Sequence, residues 1–216
     1  MKRIMRALLM ACFLTAACSI SAIAAENVDL KSQTEYQAYT LPEDLLVTFT
    51  NKNSVDVTFK GNVTYYNSNG EMISSDESYV WDAPANGECV MYLDLPEDAN
   101  YKTVAFDHYT FDYTVEDAKK NFDRTNYAKQ ITVESNTSSS GGVVAKFVNN
   151  TGKKLDEVGT IIVYYKGTEA VGFSVDMIWG LDSEVSKEYA PPKDEDYHNI
   201  EYDTYKIFIN STVIYS

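Results

Sequence analysis

Cysteine, histidine and basic residues are scarce in this chain, and each shortage excludes a class of protein. Of the three cysteines among 216 residues, Cys12 and Cys18 fall in an apolar N-terminal leader and only Cys89 lies beyond it. No internal disulfide framework can form, so every core must hold by packing. Cys89 sits in the apolar run "CVMYL" and is expected to be a buried hydrophobe rather than a reactive thiol. The two histidines, His108 and His198, face Thr204 and Lys102 when the internal repeat described below is aligned. A Ser-His-Asp or Cys-His catalytic set is thereby disfavoured, and so is a zinc centre. The expectation is a protein that is not an enzyme, with no cofactor and no metal. Lys and Arg number 18 against 32 Asp and Glu, a formal charge of -14. That sign repels phosphate backbones and argues against nucleic-acid partners.

No segment after the leader is long and apolar enough to span a bilayer. The leader itself, "MKRIMRALLMACFLTAACSISAIAA", places Lys2, Arg3 and Arg6 ahead of an uncharged run and ends in small residues, the pattern of an export signal over residues 1–25. Its loss removes three positive charges and takes the formal charge from -14 to -17. Two processing routes are open. Cleavage after Ala22-Ile23-Ala24 releases a free protein, whereas Leu14-Thr15-Ala16-Ala17 approximates a lipoprotein signal in which Cys18 is acylated. The protein is expected outside the cell or anchored on the outer face of the membrane, meeting the membrane only through that N-terminal lipid.

Much of the remaining sequence occurs twice. Phe49, Asn51 and Trp81 recur as Phe147, Asn149 and Trp179, the pair Tyr65-Tyr66 as Tyr164-Tyr165, and Pro96, Asp98 and Tyr101 as Pro192, Asp194 and Tyr197. Preserved order with small drift in spacing means two copies of one unit. Residues 26–115 and 126–216 are the expected domains, joined by a connector over 116–125.

Period two dominates both copies. Leu45, Val47 and Phe49 alternate with Leu46, Thr48 and Thr50, and Val57, Phe59, Val63 and Tyr65 with polar neighbours. In the second copy Ile161 and Val163 make the opposite face apolar as well, so that strand is expected to be covered on both sides or to lie against the other domain. Gly- and Asn-rich turns such as "NSNG" and "NNTGK" separate the runs. The fold expected is all-β, two tandem immunoglobulin-like antiparallel β-sandwiches after a signal peptide. One short helix is expected within Thr114–Arg124, as part of a connector joining two loosely coupled bodies.

The phrase "PEDANYKTVAFDHYTF" returns as "PKDEDYHNIEYDTYKI". In both, the apolar phase jumps at Asp107-His108 and at Asp203-Thr204, which predicts a bulge or tight bend. Tyr101 and Tyr197 are placed where a corner tyrosine would tie its hydroxyl back to the backbone. The runs "NKNSVDVTFKGNVTYYNSNGEMI" and "NNTGKKLDEVGTIIVYYKGTEAVG", each an Asn-rich turn, a strand ending in an aromatic pair and a polar turn, resemble the FxLYD-type immunoglobulin-like modules of exported bacterial proteins. Asn67 and Lys166 stand where that family has Asp. The resemblance implies a β-sandwich in an exported, often membrane- or wall-associated protein, and it carries no catalytic residues.

The acidic turns Glu97-Asp98 and Asp194-Glu195-Asp196 lack calcium-loop spacing and read as solvated. The aromatics are the remaining signal. Tyr66 and Tyr165 fall on the solvent phase of their strands and are the candidate ligand contacts, whereas Trp81 and Trp179, being repeated, are expected to be framework packing. The function expected is a binding or structural module at or outside the cell surface, acting on a protein or glycan. The alternative is a carbohydrate-binding protein proper, with tyrosines on a sheet face as its platform.

Overall fold

A computed structural model describes residues 27–120, 125–194 and 196–215. The expected signal peptide and Cys18 lie outside them. A short helix, α1 (Asn27–Ser32), leads into six strands of the first copy: β1 (Thr34–Thr40), β2 (Asp44–Asn51), β3 (Val57–Tyr66), β4 (Met72–Ala83), β5 (Gly87–Asp94) and β6 (His108–Asp117). The second copy repeats them as β7 (Ile131–Thr137), β8 (Val143–Asn149), β9 (Leu155–Lys166), β10 (Glu169–Leu181), β11 (Glu184–Tyr189) and β12 (Thr204–Val213). Sheets β1-β2-β5 and β4-β3-β6 form one sandwich, and β7-β8-β11 and β10-β9-β12 the other, all pairings antiparallel. The all-β expectation holds.

Alternation explains each core. Leu45, Val47 and Phe49 of β2 meet Phe59, Val63 and Tyr65 of β3, with Phe49 stacked on Phe59 at 4.3 Å between ring centroids. Phe147, Ile162 and Tyr164 hold matching places in the second core. Cys89 is buried in the first, and burial pushes its thiol pKa up. The repeated asparagines lock the turn after β2 and after β8. Asn51 Nδ2 donates to the carbonyls of Val55 (3.1 Å) and Pro84 (3.0 Å), and Asn149 Nδ2 to those of Lys153 (2.7 Å) and Leu181 (2.9 Å). A buried amide with its partners supplied specifies the turn as well as stabilising it.

The sandwiches are not loosely coupled. The outer face of β1-β2-β5 lies on the outer face of β10-β9-β12, burying Tyr39, Leu41, Leu46 and Val90 against Ile161, Val163, Ala170 and Phe208. The molecule is therefore four sheets deep, with three apolar interlayers. Polar clips edge the middle one. Asn210 of β12 accepts from the Val90 N–H (3.0 Å) and donates to its carbonyl (2.6 Å), standing in for a strand at the free edge of β5. Lys206 pairs with Glu88 across the junction. The start of the second copy is also held down. The N–H of Asn126 donates to Asp56 (3.1 Å), and that of Tyr127 to Thr212 Oγ1 (2.7 Å).

Two local expectations change and a third is narrowed. Glu116 and Asp117, placed in the connector, are the last residues of β6, because Thr114 and Glu116 pair with Lys60 and Thr58 of β3. Among the described residues of that stretch, helix is limited to the 3₁₀ turn Ala118–Lys120. Of the bulge or tight bend expected at the phase jump, it is the bend that forms: Asp107 and Asp203 are both bends, immediately before β6 begins at His108 and β12 at Thr204.

Candidate functional site: grooves between the sandwiches

Docking two curved sheets face to face leaves a furrow along each side of the contact. One furrow encloses about 880 Å³ and is lined by Tyr39, Thr48 and Thr50 of the first sandwich and by Tyr165, Thr204 and Phe208 of the second; Tyr36 and Tyr205 border it while their rings pack toward the two cores. Lys206 and Glu88 form part of its wall. Tyr165 is half-buried, with its ring edge-on to Tyr39 at 6.0 Å. Burial, then Tyr39 and Glu88, push its phenol pKa up, so at neutral pH it is a hydrogen-bond donor. Tyr39 is shifted the same way by burial and then by Glu169. The hydroxyls of Thr48, Thr50, Thr168 and Thr204 add polar points along the walls.

The second furrow is smaller, about 450 Å³, and more apolar, lined by Tyr79, Tyr92, Val175 and Met177 with Ser78 and Ser211. Beside it Tyr79 and Trp81 are stacked at 4.5 Å with planes 5° apart. Trp81 is 45% exposed and Trp179 69%. They are not framework packing. Register explains why: Trp179 lies opposite Glu157 on the outward side of β9, and Tyr79 opposite Lys60 on the outward side of β3.

Of the two candidate tyrosines, only Tyr165 lines a groove. Tyr66 is on the outer face of β4-β3-β6, half-buried and stacked on the His108 ring at 5.0 Å. The structure does not bring the pair together, because the sheet carrying Tyr165 is docked and the sheet carrying Tyr66 is not. Tyr101 and Tyr197, expected as corner tyrosines, are 86% and 81% exposed. Each stands at positive φ, +60° and +63°, at the tip of a small hairpin. Asp98 Oδ1 accepts the N–H groups of Asn100 (2.7 Å) and Lys102 (3.1 Å), and Asp194 Oδ1 those of Asp196 (3.0 Å) and His198 (2.8 Å). The turn aspartate is thus a shared structural device, and these hydrogen bonds hold the Asp98 carboxyl below its ordinary pKa.

Among the described residues, no three His, Cys, Asp or Glu side chains converge as a metal site. His108 bonds its neighbour Asp107 at 3.0 Å, and both are exposed. The groups along the furrow walls are aromatic rings, hydroxyls and the Lys206–Glu88 ion pair.

The sequence matches no protein-family model and no curated protein. Among solved structures, the chain is similar to red sea bream transglutaminase, at 11% identity and a TM-score of 0.25 over 83% of this chain. It spans 27% of that protein's length. A likeness of that size carries no argument about function.

Proposed function

We propose that this chain is a non-enzymatic exported binding module that acts through protein or glycan contacts, with the tyrosine-lined groove between its sandwiches as the ligand seat. The observation that carries the reading is that groove, whose walls come from both copies and whose protonated, half-buried Tyr165 offers a ring face and a donor together. The basic, apolar leader supports export, and the resemblance to FxLYD-type modules is in line with it. The carbohydrate-binding alternative draws on the Tyr79–Trp81 stack beside the smaller furrow, partly exposed aromatic surface of the kind on which sugars stack.

A glycan array, followed by titration of whatever binds, tests both readings. Tyr165→Phe and Tyr39→Phe each keep the ring and remove the donor. Both should weaken binding about tenfold if the larger groove is the seat. Trp81→Ala should do so if the smaller furrow is. Binding unchanged by all three variants overturns both placements.

A further inference from the structure

Tyr65 and Tyr164 hold the same place in the two copies, and their surroundings differ in charge. Tyr164 donates its hydroxyl to the Ala190 carbonyl (2.7 Å), which Ser174 also reaches (3.2 Å), and the matching end of β8 is led by Gly142. The corresponding residues of the first copy, by register, are Asp94, Asp76 and Asp44. There the Tyr65 hydroxyl is fully buried and has no hydrogen-bond partner among the described residues. Asp76, Asp44 and Asp94 all lie within electrostatic reach of it and, after burial, raise its pKa.

The charge continues to the surface. Asp44 and Asp94 sit opposite each other at the end of the β2–β5 ladder, and Asp76 Oδ2 accepts the Asp94 N–H at 2.9 Å. Burial, then Asp94, Glu43 and Glu97, holds the Asp44 carboxyl up to about 6. Among the described ion pairs, none brings a lysine or arginine to Glu43, Asp44, Asp76, Asp94 or Glu97. The Glu97–Thr103 hairpin borders this end, fastened by Thr103 Oγ1 to the Pro42 carbonyl at 3.3 Å, and it carries the exposed Tyr101. A tyrosine at positive φ costs stability that asparagine or glycine would not, and among the described residues no ring contact or hydrogen bond of its side chain compensates. In the second copy the residues matching Asp44, Asp76, Asp94 and Glu97 are Gly142, Ser174, Ala190 and Lys193, so this set of carboxylates is not repeated there.

We propose that this end of the first sandwich docks an arginine-bearing segment of a partner polypeptide, its guanidinium received by Glu43, Asp44, Asp94 and Glu97 and stacked on the Tyr101 ring. The carboxylates do not converge on a single point. A guanidinium suits that spread, since its five N–H groups fan out in a plane and its face stacks on aromatics. One N–H left over can serve the Tyr65 oxygen. The site is separate from the grooves and goes beyond the reading given above.

Calorimetric titration of the full chain with an oligo-arginine peptide tests it, at about 150 mM NaCl so that diffuse attraction is screened beyond about 8 Å. Saturable one-to-one binding is expected, at least about tenfold weaker in the Asp44→Asn/Glu97→Gln double variant. Tyr101→Asn should also bind more weakly while melting no lower than the wild type. A control double variant, Glu134→Gln/Glu188→Gln on the opposite outer sheet, removes the same charge and should bind like the wild type. The proposal is overturned by equal loss in the control, by no binding at that salt, or by a melting temperature that calcium chloride raises in the wild type and not in Asp44→Asn.

Discussion

The outer faces of β3 and β9 are the same surface in two copies of one fold, and they have opposite fates. On β3 the outward residues are Lys60, Asn62, Thr64 and Tyr66, and they face solvent. On β9 the matching residues are Gly159, Ile161, Val163 and Tyr165, and the first sandwich covers them. Ile161 in place of Asn62 and Val163 in place of Thr64, with Ala170 and Phe208 on the flanking strands, supply the aliphatic and aromatic area that the interlayer buries, because buried apolar area contributes and solvated amide or hydroxyl does not. The interface is also one-sided: β1-β2-β5 of one copy meets β10-β9-β12 of the other. Such a contact would propagate into a stack if the terminal faces matched it. The polar β3 face caps one end of the stack. At the other, Lys146 pairs with Glu184 beside Val144.

The comparison can be broken most severely in the cores that both copies share. Phe49→Ala or Phe147→Ala should each cost roughly 3–5 kcal/mol, measured by chemical denaturation. Because the interlayer couples the sandwiches, each variant should lower the melting of the whole molecule. A loss confined to one half would show weak coupling. Next, giving β9 the residues of β3, as Ile161→Asn with Val163→Thr, should cost about 2–4 kcal/mol and uncouple the two sandwiches. Calorimetry would then resolve two transitions where the wild type has one.

A smaller effect separates the acidic end of the first copy from its neutral counterpart. The folded pKa of Asp44 is raised to about 6, above its unfolded value of about 3.9. Folding therefore favours the protonated form, so this group's contribution is fully present below the unfolded pKa and is lost as pH rises through about 6. Stability should increase as pH falls from about 7.5 to about 5. Asp44→Asn should gain on the order of 1 kcal/mol at neutral pH, after allowing for solvent screening, and flatten that profile. An unchanged profile in the variant would remove Asp44 as its cause. Smallest of all, Tyr101→Asn or Tyr197→Asn should leave stability unchanged or raise it by up to about 1 kcal/mol, since asparagine tolerates positive φ. Equal outcomes at the two tips would confirm that the hairpins are the same device.

Strands were legible wherever burial is one-sided, as in Leu45-Val47-Phe49, because alternation is the direct imprint of a half-buried sheet. The two-faced apolar strand containing Ile161 and Val163 likewise announced its second cover, which proves to be the other sandwich. Trp81 and Trp179 were misread because repetition marks a shared position without saying whether it faces the core or solvent. A finer signal was available: both side chains fall on the outward phase, in step with Tyr79 and Met177. Nothing in tyrosine predicts positive φ, so the tips Tyr101 and Tyr197 could be seen only once the Asp98 and Asp194 turns were built. The grooves were beyond reach of any local pattern, since their walls meet only when residues far apart in the chain are docked. Tyr165 was found through its strand phase, and the same rule placed Tyr66 on a face that lines neither furrow.

Docking of the two copies into one body is the claim on which the grooves depend. Differential scanning calorimetry of the unaltered protein tests it most directly. A single cooperative transition in the wild type, splitting into two in Ile161→Asn/Val163→Thr, is the predicted result. Two resolved transitions in the wild type, unmoved by that variant, would contradict it.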